Sequence, residues 1–203
     1  MSKKNIAVFV SGSGSNLQAI IDAEIECVKI KVVVSNNPDA YAVERAINNG
    51  IPIEIINHKD FISRKDFEIE IISRLEKYSI DLIVLAGFMR VLSSYIVNYY
   101  KHRIINIHPA ILPSFPGIHS ARQALEYGVK ITGCTVHFVD DGIDTGPIIL
   151  QSIVEIQDDD TEGTLLEKIH RLEHKAYPEA VKLFCEDRLK INGRKVSIIQ
   201  KHK

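Results

Sequence analysis

Two five-residue runs, Ile6-Ala7-Val8-Phe9-Val10 and Leu82-Ile83-Val84-Leu85-Ala86, contain no polar side chain. A strand with one wet face alternates polar and apolar residues. One that is apolar throughout must be covered on both faces, the condition of a parallel strand flanked by helices. β-Branched runs at 29–35, 52–56 and 104–108 join 5–11 and 81–86 as predicted strands. Helical patterns fall between them at 16–25, 41–49 and 65–78. In the last, Phe67, Ile71, Leu75 and Tyr78 recur at spacings of four and three, with Ser63 at the N-cap position. Alternating strands and helices predict an α/β fold, doubly wound, with a mainly parallel, Rossmann-like sheet in the N-terminal half.

Beyond residue 110 the rhythm changes. Pro109, Pro113 and Pro116 mark a loop, followed by a predicted helix at 119–127 and two longer strands at 131–139 and 148–156, so the sheet should become mixed toward the C-terminus. A long helix follows, with Thr164 and Glu167 at capping-box spacing and Pro178 placed to kink or interrupt it near His174. Asn192-Gly193 between alternating apolar residues signals a hairpin over 189–196. No Pro/Gly/Ser-rich linker divides the 203 residues, and a single domain over 1–203 is expected, with 1–100 and 101–203 as its halves.

Composition narrows the partners. Twenty-five Lys and Arg against twenty-six Asp and Glu leave a net charge of −1, which supplies no global field for nucleic acid or anionic lipid. Cys27, Cys134 and Cys185 are odd in number and form no C-x-x-C pair, so a reducing, cytoplasmic setting is expected in place of a disulfide framework. The first residues lack the long apolar segment of a signal peptide, and the longest charge-free apolar stretch, 82–89, is far short of the about 20 residues that span a bilayer. Small-molecule partners are expected, with no membrane and no nucleic acid.

Four constellations could do chemistry. Ser11-Gly12-Ser13-Gly14-Ser15-Asn16 lies directly between a predicted strand and a predicted helix, where glycines admit an anion to the unpaired amides and positive dipole end of the helix. Leu17 replaces the third glycine of a dinucleotide fingerprint, and no Gly-Lys-Ser/Thr follows, so a phosphate monoester is favoured; a plain tight turn is the alternative. Asn106 and His108, at i and i+2 near the end of a strand, should share a face, and an amide beside an imidazole suits a developing oxyanion. A lone strand-end His is otherwise a structural hydrogen bonder. In the acidic loop Asp140-Asp141-Gly142-Ile143-Asp144, Asp144 is the candidate partner of His108, and its charge should raise the imidazole pKa and keep the ring protonated near neutrality; the alternative is a solvated turn. Finally, His170-Arg171-Leu172-Glu173-His174 spells a zinc-hydrolase pattern on a helix, but no other feature supports a metal, and none is expected.

In order, these pieces resemble the phosphoribosylglycinamide formyltransferase family, also called glycinamide ribonucleotide transformylase. The resemblance is carried by Ser11-Gly12-Ser13-Gly14-Ser15-Asn16-Leu17-Gln18, Leu85-Ala86-Gly87-Phe88-Met89-Arg90-Val91-Leu92, Asn106-Ile107-His108-Pro109, Gln123-Ala124-Leu125, Val136-His137-Phe138-Val139 and Asp144-Thr145-Gly146-Pro147. It implies the formyltransferase fold and transfer of a formyl group from 10-formyltetrahydrofolate, a co-substrate, to the amine of 5′-phosphoribosylglycinamide in purine biosynthesis. Asn106, His108 and Asp144 would be catalytic. Gly14, Ser15 and Asn16 would hold the substrate phosphate, with His170 and Glu173 near the ribosylglycinamide. Arg64, Met89, Arg90, Val91, Leu92, Asn106, Asp140, Asp141, Gly142, Ile143 and Asp144 would line the folate site. A monomer or weak homodimer is expected. Formyltetrahydrofolate deformylase is the nearest alternative, although it has no use for a phosphate loop. Methionyl-tRNA formyltransferase carries an added domain, a nucleotide-binding module leaves Asn106, His108 and Asp144 idle, and a zinc hydrolase would use His170 and His174.

Overall fold

A computed structural model describes residues 3–200; residues 1–2 and 201–203, and with them the first residues weighed against a signal peptide, lie outside it. The chain forms two compact units, one ending at Asn106 and the other beginning at Ile107.

In the first unit, β1 (Lys4–Val10), β2 (Val28–Ser35), β3 (Ile53–Ile55), β4 (Leu82–Leu85) and the start of β5 (Ile104–His108) lie in the order β3-β2-β1-β4-β5. Every pairing among them is parallel. The apolar runs behave as their composition requires: Ile6 to Val10 and Leu82 to Val84 are fully buried. The order reverses at β1, which has β2 on one side and β4 on the other. With Phe9 paired to Leu85, both strands end at the same edge. In open α/β sheets, ligands gather outside the carboxyl ends at such a reversal.

Helices α1 (Ser15–Asp22), α2 (Tyr41–Asn48) and α3 (Arg64–Glu76) match the predicted segments, and Ser63 caps α3 by accepting from the Asp66 N–H at 3.1 Å. Helix α4 (Ser94–Tyr99) and a 3-10 turn at His58–Asp60 were not foreseen. Six residues are too few to show a helical period. The start of α4 is held locally by Ser93 Oγ, which accepts from the Tyr95 N–H at 3.2 Å, and by a tertiary contact: the fully buried Glu68 carboxylate accepts from the Ser93 N–H at 2.6 Å and from the Ser93 hydroxyl.

The second unit contains α5 (Ser120–Tyr127), β6 (Ile131–Phe138), β7 (Ile148–Glu155), α6 (Glu162–Cys185), β8 (Leu189–Asn192) and β9 (Lys195–Ile198). β6 and β7 are antiparallel, β9 lies parallel to β7, and β8 closes an antiparallel hairpin on β9. The sheet therefore turns mixed as expected. The hairpin loop is Gly193-Arg194, one residue later than the Asn-Gly pair suggested, and Gly193 takes φ +59° at the first central position as a II′ turn requires.

Two expectations for α6 need correction. The capping box uses Thr161 and Thr164, not Thr164 and Glu167: Thr161 Oγ1 accepts from the Thr164 N–H at 3.2 Å, and Thr164 Oγ1 accepts from the Thr161 N–H at 2.9 Å. Nor does Pro178 interrupt the helix, which continues to Cys185. A mid-helix proline costs about 3 kcal/mol. Tyr177, Ala180 and Val181 around it are fully buried, and large apolar side chains such as Tyr177 and Val181 each return roughly 1.5–3 kcal/mol.

Candidate active site

The turn between β1 and α1 is pinned from behind through its carbonyls. Asn37 Nδ2 donates to Ser11 O at 3.3 Å, Ala42 N–H to Gly12 O at 3.0 Å, and Arg45 Nε to Ser13 O at 2.9 Å. The helical ladder starts with Gln18 N–H to Gly14 O, so the amides of the first turn precede it and form the kind of end that receives an anion. Gly14 is the N-cap, with φ +71° and ψ +26°. A Cβ there would lie 2.6 Å from Ala42 Cβ, so both backbone and packing demand glycine. Gly12 has no such need: its ordinary φ and open surroundings would admit a side chain.

The turn after β4 is held as firmly. Gly87 takes φ +73°, Phe88 packs edge-on to Phe9 with centroids 5.3 Å apart, Met89 N–H donates to Ser11 Oγ at 2.8 Å, and Leu92 is buried. Between these anchors Met89, Arg90 and Val91 are exposed, giving a fixed backbone with apolar side chains facing outward. Arg64, at the start of α3, is also exposed.

In the second unit, His108 Nδ1 lies 3.3 Å from Asp144 Oδ2, and its Nε2 lies 2.8 Å from Phe115 O. A carbonyl only accepts, so Nε2 carries the hydrogen, and a second proton would bind on Nδ1 against the carboxylate. Asp144 Oδ2 also accepts from the Gly117 N–H at 2.8 Å. His137 Nε2 lies 3.6 Å from Asp144 Oδ1, while its Nδ1 donates to Phe138 O at 2.9 Å. One carboxylate thus sits between two imidazoles. Asp144 adopts φ +54°, a left-handed conformation that Asp tolerates better than most side-chain-bearing residues. Asn106 stands two residues before His108 on β5, half-buried.

Burial decides the charge on His108. It pulls the imidazole below its ordinary pKa, against the Asp144 carboxylate and the Phe115 carbonyl, which favour the charged ring; His137 adds to the lowering. Asp144 does act upward on this pKa as expected, but the expectation that the ring stays protonated near neutrality is reversed, because desolvation outweighs the ion pair. For Asp144, burial acts upward, but hydrogen bonds from His137 and Gly117 and the nearby His108 hold the carboxyl below its usual value.

The other acidic residues have separate duties. Asp140 Oδ1 accepts from the Gly142 N–H at 3.1 Å and the Thr145 hydroxyl at 2.6 Å, folding the loop on itself, while Asp141, Gly142 and Ile143 are exposed. On α6, Glu173 is buried and His170 exposed. The rings of His170 and His174 stack at 6.4 Å, and among the described residues no group of three or more His, Cys, Asp or Glu is placed to hold a metal ion. Sequence reasoning gave no role to His137, Phe115, Gly117, Ser11 or Arg45. His137 and Ser11 stood in quoted motifs without a role of their own; the others act through backbone atoms or through a partner distant in sequence.

The sequence pattern of the formyl transferase family matches residues 4–181. The chain is 44% identical over 191 residues to the phosphoribosylglycinamide formyltransferase of Escherichia coli (strain K12), covering 93% of this chain and 90% of that protein. It is 48% identical over 184 residues to the trifunctional purine biosynthetic protein adenosine-3 of Drosophila melanogaster, covering 88% of this chain but 14% of the fly protein, so it spans about a seventh of that relative. Its fold superposes on the crystal structure of glycinamide ribonucleotide transformylase 1 from Symbiobacterium toebii with a TM-score of 0.95 at 45% identity, covering 98% of this chain and 95% of that one.

Two outcomes follow from the geometry. Gly14→Ala, strained at φ +71° and pressed into Ala42, should lower the melting temperature by several degrees, corresponding to roughly 1–3 kcal/mol, whereas Gly12→Ala should leave it nearly unchanged. Equal melting curves for the two variants would contradict this. His108 has a lowered pKa in the folded chain against about 6.5 when unfolded, so the unfolded state takes up the proton first as the pH falls. Its contribution to stability is present above pH 6.5 and is lost as the pH drops from there toward the folded pKa. Urea unfolding between pH 7.5 and 5.5 should show this decline, with a smaller slope in His108→Gln; identical slopes would refute it.

Proposed function

We propose, since the chain belongs to the formyl transferase family, that it moves the formyl group of 10-formyltetrahydrofolate onto the amine of 5′-phosphoribosylglycinamide, a step of purine biosynthesis. The observation that carries this reading is the buried His108–Asp144 pair, 3.3 Å apart on the strand and loop whose motifs match the family. The glycine turn at Ser11–Asn16 supports a phosphorylated acceptor. It would have no use in the hydrolytic alternative, formyltetrahydrofolate deformylase.

The amine of a glycinamide behaves as an α-amino group of pKa about 8, so roughly a tenth is neutral at pH 7 and no strong base is needed. Negative charge developing on the formyl oxygen is the larger problem. Asn106 and His108 are assigned to it as hydrogen-bond donors. His108 Nδ1 faces Asp144, so Nε2–H is the available donor, and it must exchange the Phe115 carbonyl for the formyl oxygen. A charge arriving there favours the protonated ring, which Asp144 stabilises, so the imidazole gains its second proton when it is useful. The proton lost by the attacking nitrogen, carried through Asp144, His108 or water, is delivered to the folate nitrogen as that nitrogen's bond to the formyl carbon breaks and tetrahydrofolate departs. Cys134 is excluded as a nucleophile: it is fully buried, and burial pushes its thiol pKa up to about 12.

The formyl-folate supplies an activated formyl carbon. The residues around Met89–Leu92 suit its flat heteroaromatic ring, with a pinned backbone and exposed Met89 and Val91, and Arg64, Arg90 and the 140–144 loop are assigned to the same ligand. Gly14, Ser15 and Asn16 are assigned to the acceptor phosphate, and His170 and Glu173 to the remainder of the acceptor. Residues 1–203 are taken as one catalytic domain, acting as a monomer or weak homodimer in the cytoplasm; nothing in this chemistry calls for a metal. Among the described residues no helix is long and apolar enough to cross a membrane.

The test follows the absorbance change when protein and 10-formyltetrahydrofolate are mixed with and without phosphoribosylglycinamide. Release of tetrahydrofolate only with the acceptor is expected; release without it would overturn transfer in favour of hydrolysis. His108→Ala and Asp144→Asn should each lower kcat by on the order of 10²–10⁴ with little change in acceptor KM. Wild-type turnover in either folded variant would remove its residue from the mechanism.

A further inference from the structure

Ser11 is the last residue before the glycine turn, yet its side chain serves a different loop. Its Oγ accepts from the Met89 N–H at 2.8 Å and donates to Asn36 Oδ1 at 2.5 Å. Asn36 Oδ1 can only accept, so the direction is fixed: the Ser11 hydrogen goes to Asn36 and leaves a lone pair for Met89. Asn36 is itself oriented, since its Nδ2 donates to His58 Nδ1 at 3.2 Å, and Asn36 is buried. The Ser11 carbonyl accepts from Asn37 Nδ2 at 3.3 Å. One serine therefore ties together the loops after β1 and β4 and the segment after β2.

A plain turn residue needs none of this. The Met89 side chain is 74% exposed, so no burial of that side chain fixes its backbone; the Ser11 hydroxyl supplies an anchor in the stretch between Phe88 and Leu92. We propose that Ser11 is a positioning residue that sets both ligand loops of the first unit at once, the Gly12–Asn16 loop through its backbone and the Met89–Leu92 loop through its hydroxyl. Its hydroxyl is engaged by Met89 and Asn36. The proposal rests on the function proposed above, which assigns the acceptor phosphate to one loop and the folate to the other.

The consequence is that the two loops can be released separately, one through the hydroxyl and one through the carbonyl of the same residue. Phosphoribosylglycinamide and tetrahydrofolate, each titrated alone by calorimetry so that no reaction occurs, should separate in Ser11→Ala: tetrahydrofolate about 3- to 10-fold weaker than in wild type, as expected for one lost hydrogen bond that leaves Met89 N–H and Asn36 Oδ1 unmatched, and phosphoribosylglycinamide nearly unchanged, since the Ser11 carbonyl remains. Asn36→Ala should weaken tetrahydrofolate as well, through loss of the hydroxyl's orientation, whereas Asn37→Ala, which removes the donor to the Ser11 carbonyl, should weaken phosphoribosylglycinamide. Hydrogen exchange gives a readout independent of ligands: the Met89 amide should exchange slowly in wild type and faster in Ser11→Ala, with the amides of buried β1 unchanged. Unchanged tetrahydrofolate affinity, or an equal loss of both affinities, in folded Ser11→Ala would overturn the proposal while leaving the function intact, and so would fast Met89 exchange in wild type. Wild-type protein that binds neither ligand would instead overturn the function reading itself.

Discussion

Parallel pairing of β1 with β4 is the constraint on which the N-terminal site depends. With Phe9 beside Leu85, the chain leaves both strands at one edge, and the turns that follow become neighbours although nearly eighty residues separate them in sequence. The pairing is secured by side chains with no polar alternative: Ile6, Val8, Phe9 and Val10 are fully buried, each contributing roughly 1.5–3 kcal/mol. A rigid floor of this kind lets the loops above it carry unusual backbone, such as Gly14 at φ +71° and Gly87 at φ +73°, without drifting.

In the second unit the governing term is desolvation. His108 and His137 are almost completely buried around one carboxylate, and each turns its far nitrogen to a carbonyl oxygen. Low dielectric strengthens every pairwise attraction there but also opposes charge on the ring. The outcome is an imidazole that releases its second proton readily at rest, beside a carboxylate that remains ionised. Such a group responds strongly to a new negative charge, which is the property that acyl-transfer chemistry asks of it.

Much of this was legible from residue order. Strands covered on both faces announce themselves by lacking polar residues, and β5 was bounded at 104–108 because Asn106 and His108 follow a β-branched run. The Ser63 cap was legible because capping is local. What escaped was decided partly by competition between neighbouring cap residues and partly by distant partners. Helix α4 begins where Glu68 reaches it; Thr164 spelled a capping box with Glu167, yet Thr161 occupied the N-cap and gave Thr164 the answering role. The sign of the His108 shift failed for the same reason: a charged neighbour can be guessed from a motif, whereas depth below the surface cannot. His137 belongs to a strand with no catalytic signature, and only the folded loop carrying Asp144 brings it into play.

The contact between Gly14 and Ala42 has a consequence for redesign. Because that turn is backed by the first residues of α2, with Ala42 and Arg45 both engaged, there is no slack behind it to take up. A side chain at position 14 cannot be accommodated by pushing the turn backward. Enlarging residue 42 is equally closed, so the two positions must change together or not at all, and remodelling of this turn has to work from its open side, at Gly12.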